Sequence, residues 1–398
     1  MSIFNILKKK ASLLPDKIAL ILEGKQLTYK EFYLLVLQTI SNLKDSNFKS
    51  KNIVVIIEDN SLSHVLSLFA LSYLNCTIVP TGTYYSNDHL TEIIKLTKSD
   101  GVIGNSKYCD YFKRKLKIKN FLSTNLSRKF SYFFAPNKKK IKLEKKINVN
   151  KNFIITLSSG STAKPKPIVF SQNTKIIRFK LFRKLYNINH EDTIIVTSPI
   201  DHSLGMRTLY VPLLSGATCV VMNKFSVPLY CDLIKKYKVT FSVLIASQIY
   251  EIVKKRNYFK NFYLSKGLIS ASTKLFNSVK NKILNKRINL YEMYGAAEIG
   301  TVTNINLLKE KEKFKSVGKS YHRNIDIKIL SDQNKLITNY KAGEIICKTP
   351  GKFKFYLNSK QLNTNAYYKD YFKTGDVGFL DKKNYLYFLS RKKNIIRR

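Results

Sequence analysis

The pattern of hydrophobic and polar positions over the first hundred residues alternates between helical and strand-like spacing. Thr28 and Glu31 form the Thr-x-x-Glu pattern that is typical of a helix N-terminus. Apolar positions follow at helical spacing, whereas continuous runs of β-branched residues predict buried strands. The predicted elements are a helix from Thr28 to about Leu43, a strand at Ile53–Ile57, a helix at Leu62–Leu74 and a strand at 77–80.

The same alternation resumes after residue 150. Alternating strands and helices are typical of parallel strands that are connected by crossover helices. Residues 105–150, in contrast, are basic, interrupted by proline and poorly periodic, so we expect a surface excursion between two sheets. The elements predicted beyond it are strands at 153–157, 192–197, 218–222 and 239–245 and helices at 206–214 and 229–237.

The pattern changes again from about residue 317. Short strands separated by turns are predicted at 325–330, 343–349, 372–380 and 385–389. Such spacing favours an antiparallel sheet or a small barrel. The predicted fold class is therefore α/β, with two αβα parallel-type subdomains at about 1–150 and 151–316 and a small β-barrel-like subdomain at 317–390.

The composition places the 398-residue chain among globular proteins, since 44% hydrophobic and 12% aromatic residues exclude a disordered chain. The first ten residues place three lysines after a few apolar residues, which is the wrong order for a secretory signal, and no apolar run approaches the length of a membrane span. A cytoplasmic location is therefore expected. The five cysteines are scattered without metal-ligand or redox spacing, and we expect reduced core thiols.

The formal net charge of +44 results from 70 Lys+Arg against 26 Asp+Glu. A chain this basic is a candidate nucleic-acid-binding protein. The lysines are spread through every segment, however, and the chain is also rich in Asn, Ile, Tyr and Phe, which is typical of a gene with strong A+T bias. The densest basic runs, 113–119 and 138–146, do not interleave aromatic residues, so no specific nucleic-acid partner is expected.

One loop has the composition of a phosphate-binding site. Residues 158–167 read Ser-Ser-Gly-Ser-Thr-Ala-Lys-Pro-Lys-Pro directly after a predicted strand. The hydroxyls and lysines suit a polyphosphate, and the glycine lets the backbone approach a ligand closely. The loop lacks the second glycine before a Lys-Ser/Thr pair that marks the common phosphate loop. A solvated Ser/Thr/Lys connector is the alternative.

Four further stretches carry candidate chemistry. His202 lies at a predicted strand-to-helix junction, where a structural histidine is the alternative. Glu298, in Tyr-Gly-Ala-Ala-Glu, either offers a carboxylate suited to magnesium or begins a helix. Asp376, in Thr-Gly-Asp, could accept two hydrogen bonds from a ribose diol, although Gly-Asp turns are common. Residues 390–397 form a basic segment that could equally be a charged tail.

In this order and spacing the motifs resemble those of the adenylate-forming enzyme superfamily, which includes acyl- and aryl-CoA synthetases, firefly luciferase and the adenylation domains of peptide synthetases. The matching stretches are 158–167 (Thr-Ser-Gly-Thr-Thr-Gly-x-Pro-Lys-Gly in the family), 294–298 (Tyr-Gly-x-Thr-Glu), 343–345 (Gly-Glu-Ile), 374–376 (Thr-Gly-Asp) and 390–397 (Gly-Arg-x-x-x-x-Ile-Lys). The resemblance covers essentially the whole chain. It implies that residues 1–390 form an AMP-binding large domain and that 391–398 are a hinge and a truncated end.

The resemblance also implies a role for each matching residue. Glu298 would bind Mg²⁺, and His202 would lie beside the acyl carboxylate and stabilise negative charge. Together with Lys166 they are the predicted catalytic residues. The predicted ATP-binding residues are Ser159, Gly160, Ser161, Thr162 and Lys166 for the phosphates, Ser270, Ala271, Ser272 and Tyr294 for the adenine, and Asp376 and Arg391 for the ribose. Gly295 is a further predicted nucleotide-binding residue.

The implied reaction combines a small-molecule carboxylic acid with Mg-ATP to give an acyl-adenylate and pyrophosphate. Transfer to the thiol of coenzyme A or of an acyl carrier protein usually follows. An amino-acid-activating relative would carry an aspartate at the His202 position. Because Asp201 is adjacent, amino acids stay open as substrates, but the frame fits acyl or aryl acids better.

Several features depart from the family pattern. Ala163 and Pro167 replace loop glycines, which stiffens the loop and removes an N–H donor, and Ala297 replaces a threonine hydroxyl. We also expect the family's mobile C-terminal lid domain to be missing, together with the lysine that it carries. Loss of that one positive charge would lower the reaction rate by about two to three powers of ten.

The leading hypothesis is therefore an acid-activating ligase whose lid is supplied in trans. A degenerate, non-catalytic nucleotide- or acyl-binding homologue is the alternative. A basic nucleic-acid-binding protein is the least favoured hypothesis.

Overall fold

The structure is a computed structural model that describes residues 1–116, 118–124, 147–158, 166–271, 273, 275–338 and 340–392. The chain divides into two compact units, Met1–Phe225 and Ser226–Arg398. None of the helices in the described ranges combines the length and apolar character that crossing a membrane requires.

Helices and strands alternate along the described part of the first unit, as the sequence predicts. Its helices are α1 (Ile3–Leu13), α2 (Tyr29–Asp45), α3 (Leu62–Leu74), α4 (Asn87–Thr97), α5 (Ser106–Lys115), α6 (Gln172–Leu185) and α7 (Ser203–Ser215). Its strands are β1 (Ile18–Leu22), β2 (Lys25–Thr28), β3 (Ile53–Ile57), β4 (Thr77–Thr81), β5 (Gly101–Gly104), β6 (Asn120–Ser123), β7 (Asn152–Ser158), β8 (Lys166–Ser171), β9 (Thr193–Val196) and β10 (Thr218–Val221).

Two sheets form the core of the first unit. One has the order β6-β5-β3-β4-β7-β8, in which β8 is antiparallel to β7 and the other neighbours are parallel. The second has the order β9-β10-β1-β2, with β2 antiparallel to β1. The central strand β3 is a continuous β-branched run because parallel strands are covered by helices on both faces.

The N-terminus of α2 confirms the predicted capping box. Thr28 Oγ1 accepts a hydrogen bond from the Glu31 backbone N–H at 3.1 Å, and the Glu31 carboxylate accepts one from the Thr28 N–H at 2.8 Å. The next residue, Tyr29, is fully buried, and its hydroxyl donates to the Ala217 carbonyl at 2.7 Å. The start of α2 is thereby fixed to the residue that precedes β10.

The expectation of a surface excursion at 105–150 is wrong for its first part. Asn105 caps α5, and β6 extends the first sheet in parallel with β5. The helix buries just Cys109 and Phe112 among basic residues, so its apolar face was too narrow to show periodicity. The basic run at 138–146 lies outside the described residues.

The described part of the second unit begins with the same alternation and continues with short strands. Its helices are α8 (Val227–Lys236), α9 (Ala246–Lys254), α10 (Arg256–Lys260), α11 (Asn277–Asn285) and α12 (Lys360–Asn365), with a 3-10 turn at Lys311–Lys313. Its strands are β11 (Phe241–Ile245), β12 (Gly267–Ala271), β13 (Leu290–Glu292), β14 (Gly295–Ala296), β15 (Gly300–Thr301), β16 (Thr303–Asn306), β17 (Lys319–Ser320), β18 (Asp326–Leu330), β19 (Leu336–Ile337), β20 (Gly343–Lys348), β21 (Phe355–Tyr356), β22 (Tyr367–Tyr368), β23 (Tyr371–Leu380) and β24 (Leu386–Arg391).

Parallel and antiparallel pairing are segregated along the second unit. Strands β11, β12 and β13 are parallel, and β16 and β17 continue from β13 in antiparallel order. Strands β19, β18, β20 and β23 form an antiparallel sheet in which β23 also pairs with β22 and β24. The antiparallel sheet predicted for the end of the chain is therefore confirmed.

The sheets of the first unit do not stop at residue 150. Strand β1 pairs with β10, and β7 and β8 complete the sheet that contains β3 and β4. The predicted division into 1–150, 151–316 and 317–390 stays a prediction. Four of the five cysteines, Cys76, Cys109, Cys219 and Cys347, are buried free thiols, as expected, whereas Cys231 is half-buried.

A buried ion pair joins α11 to β13 in the second unit. The Lys280 ammonium lies 2.6 Å from a Glu292 carboxylate oxygen and also donates to the Phe314 carbonyl at 3.1 Å. The Lys280 side chain is completely buried. Because a charge in this environment depends on its partner, removal of one member leaves the other buried without full compensation.

We predict that Lys280→Met lowers the free energy of unfolding by about 3–5 kcal/mol because the Glu292 carboxylate loses its buried counterion. Urea denaturation measures the change. The control is Lys115→Met, which removes a surface pair with Asp88 at 3.1 Å and should leave the stability nearly unchanged. Equal effects of the two substitutions would contradict a stabilising role for the buried pair.

Candidate functional site

Two neighbouring parallel strands of the second unit end beside each other at one edge of their sheet. Ser270 in β12 lies opposite Glu292 in β13, so Ala271 and Tyr294 follow at the carboxyl ends of the same strands. Ser270 is buried, and its hydroxyl has no hydrogen-bond partner in the described part of the chain. Ligands of open α/β sheets bind beyond the carboxyl ends of the parallel strands, which is the edge where this hydroxyl lies. Ser272 lies outside the described residues.

Asp376 connects this edge to the antiparallel sheet. The Tyr294 hydroxyl donates to Asp376 Oδ2 at 2.7 Å, and Arg391 Nε lies 2.8 Å from Oδ1. Asp376 in β23 and Arg391 in β24 are directly opposite each other in the antiparallel register, which places their side chains on the same face. The structure therefore brings together three of the predicted site residues.

The Asp376 carboxylate is buried and incompletely satisfied. Its side chain is 3% exposed, whereas that of Arg391 is 52% exposed. Among the described residues, Oδ1 has no hydrogen-bond donor, because the contact with Arg391 Nε lacks hydrogen-bond geometry. One carboxylate oxygen is thus available to a donor from a ligand.

Burial raises the pKa of Asp376 above its ordinary value. Tyr294 and then Arg391 act in the opposite direction, and Glu298 and Glu344 raise the pKa further. The pKa of Tyr294 is itself raised well above its ordinary value, by burial and then by the Asp376 carboxylate. The tyrosine therefore keeps its proton and acts as a hydrogen-bond donor.

Glu298 is held in a tight turn of the second unit. Gly295 in β14 packs so closely against β15 that an added Cβ would lie 2.1 Å from the Gly300 carbonyl oxygen. Glu298 follows in the turn between these strands. Its backbone carbonyl accepts from the Phe353 N–H at 2.7 Å, and its carboxylate Oε1 accepts from the Tyr356 hydroxyl at 2.7 Å. The residues 353–356 thus fix both the backbone and the side chain of Glu298.

Two tyrosines surround this carboxylate. Burial and the Glu298 charge raise the pKa of Tyr356, and the same two causes raise the pKa of Tyr367 to about 12. Within the described ranges, no group of three or more His, Cys, Asp or Glu side chains is arranged to hold a metal ion. The donor set fits Mg²⁺ nevertheless, since magnesium is usually held by one or two carboxylates together with substrate phosphates.

His202 lies in the first unit, at the residue before α7, which confirms the predicted strand-to-helix junction. Its side chain is exposed, and Nε2 lies 3.2 Å from the Tyr84 hydroxyl. The same hydroxyl donates a hydrogen bond to the buried Asp201 carboxylate. Burial, and then Asp201, raise the pKa of Tyr84, so that its hydroxyl remains a donor.

The predicted phosphate loop is described at its two ends. Ser158 ends β7 and Lys166 begins β8, and the two residues face each other in the antiparallel register. The predicted phosphate-binding residues Ser159, Gly160, Ser161 and Thr162 lie outside the described residues, as does Ala163. Pro167 pairs with Leu157 within the β7–β8 ladder.

Sequence reasoning missed Tyr84 and Tyr356, each of which contacts a predicted site residue. Tyr84 follows β4, and its signal was a Gly-Thr-Tyr-Tyr segment directly after a strand that ends in proline and threonine. Tyr356 lies in a two-residue strand, too short for any periodic pattern. Its contact with Glu298 joins residues 58 positions apart and leaves no local signal.

Comparison with protein families finds a match over most of the chain. The family model described as "AMP-binding enzyme" matches residues 7–357. The chain is 23% identical over 412 residues to 4-coumarate–CoA ligase 3 of Arabidopsis thaliana, covering 98% of this chain and 73% of that protein. It is 22% identical over 395 residues to 2-succinylbenzoate–CoA ligase of Bacillus subtilis, covering 98% and 78%.

Comparison with solved structures agrees. The structure of O-succinylbenzoate coenzyme A synthetase from Bacillus subtilis in complex with ATP and magnesium ion superposes with a TM-score of 0.89 at 21% identity. The match covers 98% of this chain and 80% of that chain. The likeness confirms the predicted α/β fold class with its parallel sheets and β-rich part.

We predict that Asp376→Asn raises the melting temperature at pH 7. The raised pKa means that ionisation of this carboxyl destabilises the folded state, fully at pH values above the folded pKa and not at all below the ordinary value near 4. An amide cannot ionise and avoids that cost. The gain should therefore disappear as the pH falls toward about 4 in thermal unfolding experiments.

The control is Asp370→Asn. Asp370 is exposed, and its contact with Lys348 holds the pKa of its carboxyl below the ordinary value. Replacement there removes a weak stabilising interaction and should give no gain at pH 7. A lower melting temperature for Asp376→Asn than for the wild type at pH 7 would contradict the assignment of a buried, costly charge.

Proposed function

Because the chain belongs to the AMP-binding enzyme family, we propose that it activates a carboxylic acid with Mg-ATP, forming an acyl-adenylate and releasing pyrophosphate. The resemblance to adenylate-forming enzymes that its motifs suggest is confirmed, and its curated relatives are CoA ligases. The chain is accordingly an AMP-forming ligase by family. The acid, the acceptor thiol and the roles of individual residues are the substance of the proposal.

The observation that carries the proposal is Asp376 Oδ1, which has no hydrogen-bond donor among the described residues. A ribose offers two neighbouring hydroxyls, and a buried carboxylate oxygen without a donor is a strong acceptor for one of them. Arg391 lies on the same face and supplies positive charge. In this proposal Asp376 and Arg391 hold the ribose of ATP, and the Tyr294 hydroxyl keeps the carboxylate in place.

The adenine is assigned to the neighbouring strand ends. Ser270 offers a buried hydroxyl that has no hydrogen-bond partner among the described residues, and Ala271 and Tyr294 follow at the same edge. Ser272 belongs to the same segment by resemblance. Lys166, with residues 159–162, would hold the phosphates, as the family pattern implies.

The magnesium ion is assigned to Glu298. Tyr356 orients the Glu298 carboxylate. One carboxylate together with the phosphates of the substrate is a ligand set that Mg²⁺ prefers. Bound magnesium neutralises charge that develops on the phosphates. The tyrosine contributes orientation of the carboxylate, because its raised pKa keeps it a hydrogen-bond donor.

The acid is assigned to the first unit, beside His202. The His202 imidazole is exposed and lies within hydrogen-bond distance of Tyr84, so two polar groups are available near a reacting carboxylate. The named substrates of two relatives, 4-coumarate and 2-succinylbenzoate, are aromatic carboxylic acids. We therefore place aryl acids first among the candidate substrates, followed by fatty acids and amino acids.

The reaction is completed in this proposal by transfer to a thiol, with coenzyme A as the first candidate and a carrier-protein thiol as the second. Supply of a lid domain in trans stays a prediction, and so does a cytoplasmic location. A non-catalytic nucleotide-binding homologue remains the alternative to an active ligase. It would bind ATP through the same Asp376 contacts without forming pyrophosphate.

We predict acid-dependent exchange of labelled pyrophosphate into ATP with magnesium present. The purified chain is assayed with a panel of aryl, fatty and amino acids, with and without an added C-terminal domain of a CoA ligase. Asp376→Asn should weaken ATP binding about 10–100-fold, since a hydrogen bond to a charged group contributes about 1.5–3 kcal/mol. Asp370→Asn, a surface change, should leave ATP binding within about twofold.

Three outcomes separate the hypotheses. Calorimetric ATP binding without exchange for any acid, in either condition, would support the non-catalytic homologue. Absence of both exchange and ATP binding would contradict the proposal. Exchange that depends on an added lid domain would support supply in trans.

A further inference from the structure

Asn60 forms three buried hydrogen bonds in the first unit. It lies just after β3, and its side chain is 4% exposed. Its amide nitrogen donates to the carbonyls of Met222 at 2.8 Å and Ser198 at 3.2 Å, and its amide oxygen accepts from the Ile200 N–H at 2.8 Å. These three partners are all backbone groups.

These bonds connect the two sheets of the first unit. Asn60 follows the central strand of one sheet, whereas Ser198 and Met222 follow β9 and β10 of the other. Two of the three bonds fix residues 198–200, which lead directly to Asp201 and His202. The His202 N–H in turn donates to the Pro199 carbonyl at 3.1 Å.

Helix α7 holds the same loop from the other side. An added Cβ on Gly205 would lie 2.1 Å from the Pro199 carbonyl oxygen and 2.6 Å from that of Ser198. The helix backbone therefore packs directly against the loop. Because Asn60 contacts the loop on one side and α7 contacts it on the other, the loop cannot change its conformation much without breaking the Asn60 hydrogen bonds.

Asp59, the residue before Asn60, holds the residue that precedes Tyr84. The Asp59 carboxylate accepts from the Thr83 N–H at 3.1 Å and from the Thr83 hydroxyl at 2.7 Å. Thr83 directly precedes Tyr84. One turn, residues 58–60, thus contacts both segments that meet at the Tyr84 hydroxyl and the His202 imidazole.

The turn is itself fixed by His64. This histidine is completely buried in α3, and its Nδ1 lies 3.0 Å from the Asp59 carbonyl and 3.2 Å from the Glu58 carbonyl. Carbonyl oxygens only accept hydrogen bonds, so Nδ1 carries the proton and donates. Burial lowers the pKa of His64, which keeps the imidazole neutral.

We propose that Asn60 is a positioning residue that sets the distance between Tyr84 and His202 by holding residues 198–200 against the turn at 58–60. The inference rests on the proposed function in one respect, that His202 lies beside the acid. Asn60 acts through the loop backbone and contacts no substrate. Its loss displaces His202 relative to Tyr84 while the second unit, with its nucleotide candidates, is unaffected.

The test uses NMR of the full chain labelled at histidine Cε1. The chain has five histidines, and His202→Gln identifies the resonance of His202. Tyr84→Phe calibrates the experiment, because it removes the hydroxyl contact and shifts that resonance. Asn60→Ala should shift the His202 resonance at least as far as Tyr84→Phe does. Asn60→Asp, which turns a donor into a charged acceptor facing two carbonyls, should do the same.

Asn52→Ala is the matched control. Asn52 is also buried in the first unit and forms two hydrogen bonds, donating to Asp100 at 2.8 Å and accepting from the Lys49 N–H at 2.7 Å. It lies at the opposite end of β3 from Asn60. Asn52→Ala also removes buried side-chain hydrogen bonds and should therefore lower the melting temperature. It should leave the His202 resonance unchanged.

A kinetic measurement gives the second readout. With an acid that supports pyrophosphate exchange, Asn60→Ala should raise the KM for the acid by about one to two orders of magnitude and change the KM for ATP less than about twofold. Equal changes in both KM values would overturn the proposal. If no acid supports exchange, the proposed function fails, while the NMR result still decides the positioning role.

A His202 resonance that Tyr84→Phe shifts and Asn60→Ala leaves in place would also overturn the inference. If Asn60→Ala does not fold, Asp59→Ala decides instead. Asp59 is exposed, so its replacement preserves the core but releases Thr83. A shifted His202 resonance in Asp59→Ala then supports the claim that the turn at 58–60 sets the distance between Tyr84 and His202. An unshifted resonance contradicts that claim.

Discussion

The carboxylate of Asp376 holds the candidate nucleotide site of the second unit together. It accepts a hydrogen bond from Tyr294, pairs with Arg391 across β23 and β24, and is nearly inaccessible to water. Burial raises the pKa of this carboxyl, and its ionisation therefore costs stability. A group that costs stability and is kept nevertheless is expected to serve binding or catalysis. Within the part of the chain that the structure describes, Asp376 Oδ1 has no hydrogen-bond donor, and a ligand hydroxyl would supply one.

Buried hydrogen bonds orient the candidate site residues in a similar way in each of the two units. In the second unit, residues 353–356 hold Glu298 through a backbone and a side-chain hydrogen bond. In the first unit, the turn at 58–60 holds both the Tyr84 segment and the loop before His202. In each case backbone groups that follow strands are fixed by buried polar contacts, which is how a rigid sheet positions a loop that carries chemistry.

The sequence was sufficient for much of the fold and for part of the site. The capping box at Thr28, the β-branched run of β3 and the antiparallel end of the chain are local patterns, and each appears in the structure. The helix α5 was missed because its apolar face is two residues wide. Asn60, Tyr84 and Tyr356 were missed because their partners lie 58 to 162 positions away, and such contacts have no local signature.

The comparison of ATP with 2′,3′-dideoxy-ATP in binding calorimetry tests the central claim most directly. If Asp376 holds the ribose hydroxyls, removing them should weaken binding to the wild-type chain about 10–100-fold. The same removal should have little effect on Asp376→Asn, because that variant has already lost the charged acceptor. Equal affinity of the wild-type chain for the two nucleotides would contradict the claim.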